Sequence, residues 1–298
     1  MGKTIAEVLA ELQNRVQSQS QNRSSGTTLE DYQQAGPQKQ YECPKCKDQQ
    51  LIFYRVNKET NEMVPEEDFL TGKVCSPAEA WKWQTKIAKQ CECIQWRRTQ
   101  RLMKSSQITD EFKKLGFKNF ILDGKPQPIR DAYETALEYF QSFDEIRNTR
   151  KNSIALLGQP GAGKTHLLTA IANNLMLKKH VPVLYFPFVE GFDDLKDDFD
   201  KLEQKKDHMK NVDVLFIDDL FKPVSIVTPD GRVRKPRATE WEIQQMYAVV
   251  NYRYLNYKPI LVSSELDFDE LIEIDEALGT RIYQMCSDFA VVIKGDRK

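Results

Sequence analysis

Only three histidines occur in the 298 residues, at positions 166, 180 and 208. Any metal bound ahead of residue 166 must therefore be held without imidazole. Charge of one sign is also lacking, since 43 Lys+Arg against 44 Asp+Glu leave a formal net charge of -1. That excludes a global basic signature for nucleic acid and leaves only local patches to supply one. No apolar run approaches the roughly 18 residues that a membrane-spanning helix requires, so no membrane partner is expected. The opening MGKTIAEVLAELQ has no apolar core of the kind a secretory leader carries. Ala6 stands where an N-myristoylation site needs Ser or Thr. The expectation is a soluble, cytoplasmic protein. No Asn/Thr-Lys-x-Asp motif is present, which argues against guanine recognition, and no internal repeat is found.

Six cysteines are present: Cys43, Cys46, Cys75, Cys91, Cys93 and Cys286. In a reducing compartment such clustering points to metal rather than to disulfides. Cys43-Pro-Lys-Cys46 has zinc-knuckle spacing, and Cys91-Glu-Cys93 offers two further thiolates. Four thiolates would make a closed, structural zinc site. Cys75 is an alternative ligand should the tight Cys-x-Cys pair fail to coordinate through both residues. Cys286 lies far along the chain and reads as a buried apolar residue. A module this small has little apolar area to bury, so metal ligation would largely replace a core.

Three regions follow. Residues 1–40 comprise a helix with Ile5, Val8, Leu9, Leu12 and Val16 on one stripe, then a Gln-, Ser- and Gly-rich flexible linker. Residues 41–104 form the zinc-binding module, ending in a cationic stretch with Trp96, Arg97, Arg98, Arg101 and Lys104. That stretch reads either as a solvated connecting helix or as a nucleic-acid contact. From residue 105 to 298, short apolar runs alternate with helical segments: IALLG, VPVLYFPF, VDVLFIDDL, PILVSSEL and AVVIK. This alternation predicts an α/β fold with a parallel sheet covered by helices on both faces.

The run IALLG leads into GQPGAGKT and then a helical KTHLLTAIANN. Gly158, Gly163, Lys164 and Thr165 match G-x-x-x-x-G-K-[ST], with Gly161 inside the loop. Glycines let the backbone wrap a phosphate with amide hydrogens pointing inward, and the helix that follows adds its positive end. Gly158, Gly161, Ala162, Gly163, Lys164, Thr165 and His166 are thus the expected nucleotide-binding set. Lys164 would reach the β- and γ-phosphates, and Thr165 would ligate Mg²⁺. The apolar VLFID would deliver Asp218, to hold Mg²⁺, and Asp219, to orient the attacking water, to the carboxyl edge of the sheet. The strand ILVSSE would lie between these two and sense the γ-phosphate through Ser264 or Glu265. Arg281 reads either as a surface residue or as a group that reaches a neighbouring copy's γ-phosphate and stabilises transition-state charge there. Two further features stand open. Arg232, Arg234, Lys235 and Arg237 form either a solvated hairpin tip or a DNA-backbone contact, and Tyr252, Tyr254 and Tyr257 around Arg253 either pack or stack bases.

This order of elements resembles the AAA+ family, and more narrowly the DnaC/DnaI-type replicative helicase loaders of phages and mobile elements of Gram-positive bacteria. The resemblance runs over most of the chain, through YECPKC, CEC, GFKNF, GQPGAGKTHLL, YFPF, IDDLFK, NYRYLN, SSEL and the GTR of 279–281. It departs at Glu265, where many loaders carry Asn, and at Met285, where several carry a further arginine; Arg297 is a weak candidate for a second phosphate sensor. The resemblance implies an ATPase using ATP, Mg²⁺ and Zn²⁺ that delivers the hexameric replicative DNA helicase onto single-stranded DNA during replication initiation. It implies that the N-terminal region grips the helicase and that copies of the chain associate through Arg281. Two alternatives are an ATP-binding adaptor with little turnover and an IstB-like transposition helper.

Overall fold

The computed structural model describes residues 41–294 apart from 73, 75, 76, 197, 229 and 230. The expected N-terminal helix and linker, Cys75 and Arg297 lie outside the described residues, and Arg232 and Arg234 are described by their backbone alone. The chain divides into two compact units, with the break between Cys91 and Glu92.

In the first unit, strands β1 (Leu51–Asn57), β2 (Met63–Pro65) and β3 (Trp83–Gln90) form an antiparallel sheet in the order β2-β1-β3. The β1–β3 register runs from Leu51 opposite Gln90 to Val56 opposite Thr85, then slips by a bulge at Asn57. Helix α1 (Glu66–Leu70) returns over the sheet, its Phe69 ring 6.1 Å from that of Trp83. Arg55 lies 5.5 Å from the Phe69 ring centre and pairs with Glu66 at 3.0 Å. Besides the cysteines, the buried apolar side chains described here are Val64 and Trp83. Such a core is too small to hold a fold by hydrophobic burial alone.

The second unit opens with α2 (Cys93–Ser105) and α3 (Gln127–Ile146). It then alternates β4 (Ile154–Gly158), α4 (Lys164–Lys178), β5 (Val183–Pro187), α5 (Phe199–Asn211) and β6 (Val214–Asp218). A hairpin of β7 (Pro223–Thr228) and β8 (Gly231–Pro236) precedes α6 (Glu240–Leu255). The unit closes with β9 (Ile260–Ser264), α7 (Phe268–Ile274), α8 (Glu276–Cys286) and β10 (Ala290–Ile293). Five strands make one sheet in the order β10-β4-β9-β6-β5, and every neighbouring pair is parallel. This is the AAA+-type parallel sheet with flanking helices.

Successive residues of each strand face opposite layers, which is why the strands read as continuous apolar runs. Leu156 and Phe216 join Tyr139, Phe143, Leu168 and Leu175 in one layer. Leu157 and Ile217 join Met246, Val250 and Ile282 in the other. Helix α4 is buried on almost all sides. Side-chain caps fix several helix starts, with Thr239 and Glu242 reciprocally bonded at α6 and Asp267 and Glu270 at α7.

Helix α2, with its cationic stretch, packs within this second unit. Thr99 Oγ1 lies 3.1 Å from His180 Nδ1, and Ser106 O accepts from Tyr185 N at 2.8 Å. Trp96, Arg98 and Arg101 remain exposed. Arg253 is fully buried and donates to the carbonyls of Met209, Lys210, Val212, Asp213 and Pro259 at 2.7–3.2 Å. It thereby ties the carboxyl end of α5 to the entries of β6 and β9, with burial lowering its pKa to about 9.

Candidate functional site

The phosphate loop runs between β4 and α4, and two of its glycines are required by their surroundings. Gly158 has φ +102, and a Cβ there would lie 2.3 Å from Ile293 O of β10. Gly163 has φ +87, and a Cβ there would lie 2.6 Å from the Phe120 ring. Gly161 also has positive φ but faces open space. Gly116 and Asn119 hold His166 through its Nε2 at 3.1 and 3.2 Å. The segment GFKNF thus folds over the loop, a contact the sequence flags only as a motif of unstated purpose.

Lys164 is buried and donates to Gly158 O and Gln159 O, both at 2.8 Å. Burial lowers its pKa, opposed by the negative charges of Glu265, Asp219 and Asp218. Thr165 Oγ1 donates to Asp218 Oδ1 at 2.9 Å. The same carboxylate accepts from Ser263 Oγ and, at Oδ2, from Tyr185 OH at 3.1 Å. Burial pushes the Asp218 carboxyl above its usual range, while bonds from Ser263 and Thr165 pull it back. The arrangement is three hydroxyls around one buried carboxylate, beside a lysine and at the amino end of a helix.

Asp219 follows in the left-handed region, φ +53, its N–H donating to Ser263 Oγ at 2.8 Å. Its Oδ2 pairs with Lys222 Nζ at 2.6 Å, which raises the lysine pKa. The strand carrying Ser263 and Ser264 does lie between β4 and β6. The two serines face opposite ways. Ser263 turns to Asp218, whereas Ser264 donates to Leu220 O at 2.7 Å and accepts from Leu266 N at 3.1 Å. Ser263 and Tyr185 are the residues of this cluster that sequence reasoning left without a role. The YFPF run contains the tyrosine, but only the strand order reveals that it faces Asp218. Arg281 sits on α8, where it donates to Asn251 Oδ1 and Ala277 O, each at 2.8 Å. Its guanidinium lies 5.3 and 5.6 Å from the Tyr247 and Tyr254 ring centres.

A second cluster joins Cys43, Cys46, Cys91 and Cys93, all buried, with every Sγ within 4.8 Å of the others. Cys43 and Cys91 are 3.7 Å apart. Four sulfurs placed tetrahedrally around zinc at about 2.3 Å would be separated by about 3.8 Å, so the set is compatible with that ion. The knuckle turns through Lys47 and Asp48 at φ 49 and 66, and Cys43 N donates to Asp48 Oδ1 at 2.9 Å. A hydrogen bond from the Cys46 backbone is the main cause lowering the Cys43 thiol to about 7, toward the thiolate that a metal needs. Both members of Cys91-Glu-Cys93 reach the cluster. Cys286 lies in the ATPase-type core, where burial pushes its thiol well up.

Residues 113–286 match the bacterial DnaA ATPase domain family. The chain belongs to that family. Among curated relatives of this DnaA-type domain, YqaM of Bacillus subtilis strain 168 is 55% identical over 271 residues, covering 87% of this chain and 84% of YqaM. XkdC, a protein of the phage-like element PBSX in the same strain, is 48% identical over 293 residues, covering 98% of this chain and 94% of XkdC. The crystal structure of DnaI aligns with a TM-score of 0.50 at 23% identity over 63% of this chain and 95% of that one, a likeness of fold. The kinship shown is with the bacterial DnaA ATPase domain and with a protein of a phage-like element, and the likeness to DnaI is one of fold. Among the described residues, no helix is long and apolar enough to cross a membrane.

Proposed function

We propose that this DnaA-type ATPase is a loader that uses ATP to deliver a hexameric replicative helicase onto single-stranded DNA. The observation that carries the reading is the union, in one chain, of a phosphate loop facing an acidic strand with a four-thiol module ahead of it. Residues 41–104 are assigned as the zinc-binding, helicase-interacting module, its last helix α2 packing in the second unit, residues 105–298 as the AAA+ ATPase domain, and residues 1–40 as an N-terminal helix and flexible linker. Cys43, Cys46, Cys91 and Cys93 would hold a zinc ion that substitutes for the missing core.

The chemistry follows from charge. Gly158, Gly161, Ala162, Gly163 and His166 shape the cradle, and Lys164 exchanges its two carbonyl partners for phosphate oxygens. Thr165 and Asp218 hold Mg²⁺, which when bound neutralises phosphate charge. Asp219, once free of Lys222, orients the attacking water. Ser263, bonded to both Asp218 and the Asp219 N–H, takes the γ-phosphate-sensing role in this reading, since Ser264 is buried on the opposite face and bonded to Leu220 O. Arg281 turns outward from Asn251 to serve a neighbouring copy, so that turnover depends on self-association. ATP and ADP states must differ in affinity for the helicase for release to follow hydrolysis.

The test is native mass spectrometry of the full chain with a replicative helicase in ATP and in ADP, alongside Lys164→Ala. A complex of defined stoichiometry that weakens in ADP, with loading lost in the variant, is the expected result. No complex in either nucleotide, with DNA-stimulated turnover, would move the assignment to a transposition helper. One contact favours a second reading, an adaptor with little turnover: Lys222 occupies Asp219 at 2.6 Å. Loading retained in Lys164→Ala would support it.

A further inference from the structure

Strand-to-helix connections in α/β units commonly span about 2–6 residues. Here β6 ends at Asp218 and α6 begins at Glu240, and the connection contains a hairpin that, among the described residues, pairs only with itself. Its register is unbroken from Pro223 opposite Pro236 to Thr228 opposite Gly231. The hairpin is not buried for packing, since Val224, Ile226 and Val227 are 38%, 42% and 76% exposed. Between Pro223 and Thr239 the sequence holds Arg232, Arg234, Lys235 and Arg237 against a single acid, Asp230. Lys235 and Arg237 are exposed, and no carboxylate among the described residues pairs with either. A cationic ribbon short of internal counter-charge is complementary to a polyanion. Cations spaced along a strand suit successive phosphodiesters, and the exposed apolar side chains of the neighbouring strand can meet the faces of splayed bases, which a stacked duplex does not offer.

The base of this hairpin is also part of the nucleotide site. Arg237 N donates to Lys222 O at 3.1 Å, closing the stem. Lys222 in turn pairs with Asp219 at 2.6 Å and donates its own N–H to Asp219 O at 3.1 Å. One residue therefore belongs both to the ribbon's foot and to the carboxylate that faces water.

We infer that hairpin β7–β8 is the single-stranded DNA contact of this protein and that it signals occupancy to Asp219 through Lys222. The inference rests on the ATPase reading for its second half only. DNA drawn onto the ribbon shifts its stem, Lys222 leaves Asp219, and the carboxylate becomes available to orient water. The probe is a fluorescent oligothymidylate titrated against the full chain with ATP, at low and at physiological salt, with ATP turnover followed in parallel. The fourfold variant R232E/R234E/K235E/R237E should lose at least tenfold in affinity. Its salt slope should flatten by about 2–3, at about 0.7 per phosphate contact on a single strand. The threefold variant R232E/R234E/K235E, which spares the stem residue Arg237, should keep basal turnover while losing DNA stimulation. The fourfold glutamine variant guards against misfolding and should change in the same direction. Lys222→Gln should raise DNA-independent turnover to the stimulated level and show no further stimulation. Wild-type affinity and slope in both fourfold variants would overturn the contact. Intact stimulation in Lys222→Gln would overturn the signalling. Tighter, equally variant-sensitive binding to duplex would overturn the choice of single strand. Should the wild type show no turnover in any condition, the ATPase reading fails while the binding comparison still decides the hairpin.

Discussion

The two units solve the problem of cohesion differently. The ATPase-type unit sandwiches four buried strands and a half-buried edge strand, β10, between two apolar layers, whereas among the described residues the cysteine unit buries little besides Val64, Trp83 and its thiols. One unit is held by area removed from water, the other by the bonds its sulfurs can make. Stability and function therefore respond to different agents in the two halves of the chain.

Metal removal should separate them most. Structural zinc contributes about 10–16 kcal/mol in small zinc domains. Chelation, or Cys43→Ser with Cys46→Ser, should expose residues 41–91 to limited proteolysis while nucleotide binding persists. One zinc per chain, measured by metal analysis, is expected to be released. Loss of nucleotide binding on chelation would break the comparison.

The converse perturbation is Arg253→Met. It leaves five carbonyl acceptors without their donor and should cost about 3–5 kcal/mol. Calorimetry should show the ATPase transition falling by roughly 10 °C, with zinc content unchanged. Gly163→Ala is smaller in scope. A left-handed φ costs an alanine about 1–2 kcal/mol, and the added methyl must displace Phe120. Nucleotide affinity should fall about tenfold in a fluorescent-nucleotide titration with little change in melting. Tyr185→Phe is smallest, removing one bond to Asp218 worth about 1 kcal/mol. A several-fold rise in the Mg²⁺ concentration needed for half-maximal turnover would register it, and an unchanged Mg²⁺ dependence would show that Ser263 and Thr165 suffice.

Much of the ATPase unit is legible in the sequence because both faces of its sheet are covered. IALL, VLFI and ILV can run apolar without alternation only in that setting, and the glycine loop declares itself between a strand and a helix. What stays hidden depends on contacts between segments far apart in the chain. Arg253 looks like a surface cation among tyrosines, since nothing local announces that five distant carbonyls will converge on it. Ser263 and Ser264 are indistinguishable until the strand's facing is known. Helix α2 carries the composition of an exposed connector, and the contacts that dock it, from Thr99 to His180 and from Ser106 to Tyr185, reach beyond residue 179. Phe120 precedes Gly163 by a whole helix and strand, so no window of sequence shows them touching.

The close fit between Gly158 and Ile293 has a consequence for the newborn protein. Gln159 N donates to Ile293 O at 3.0 Å, so the rim of the phosphate loop is braced by a strand made more than a hundred residues later. Chains are synthesised from the amino end, and earlier segments fold while later ones are still being added. A ribosome-bound chain that already displays its complete glycine loop still lacks the brace beneath it. The rim of the loop therefore gains its brace only after residue 293 has emerged from the ribosome.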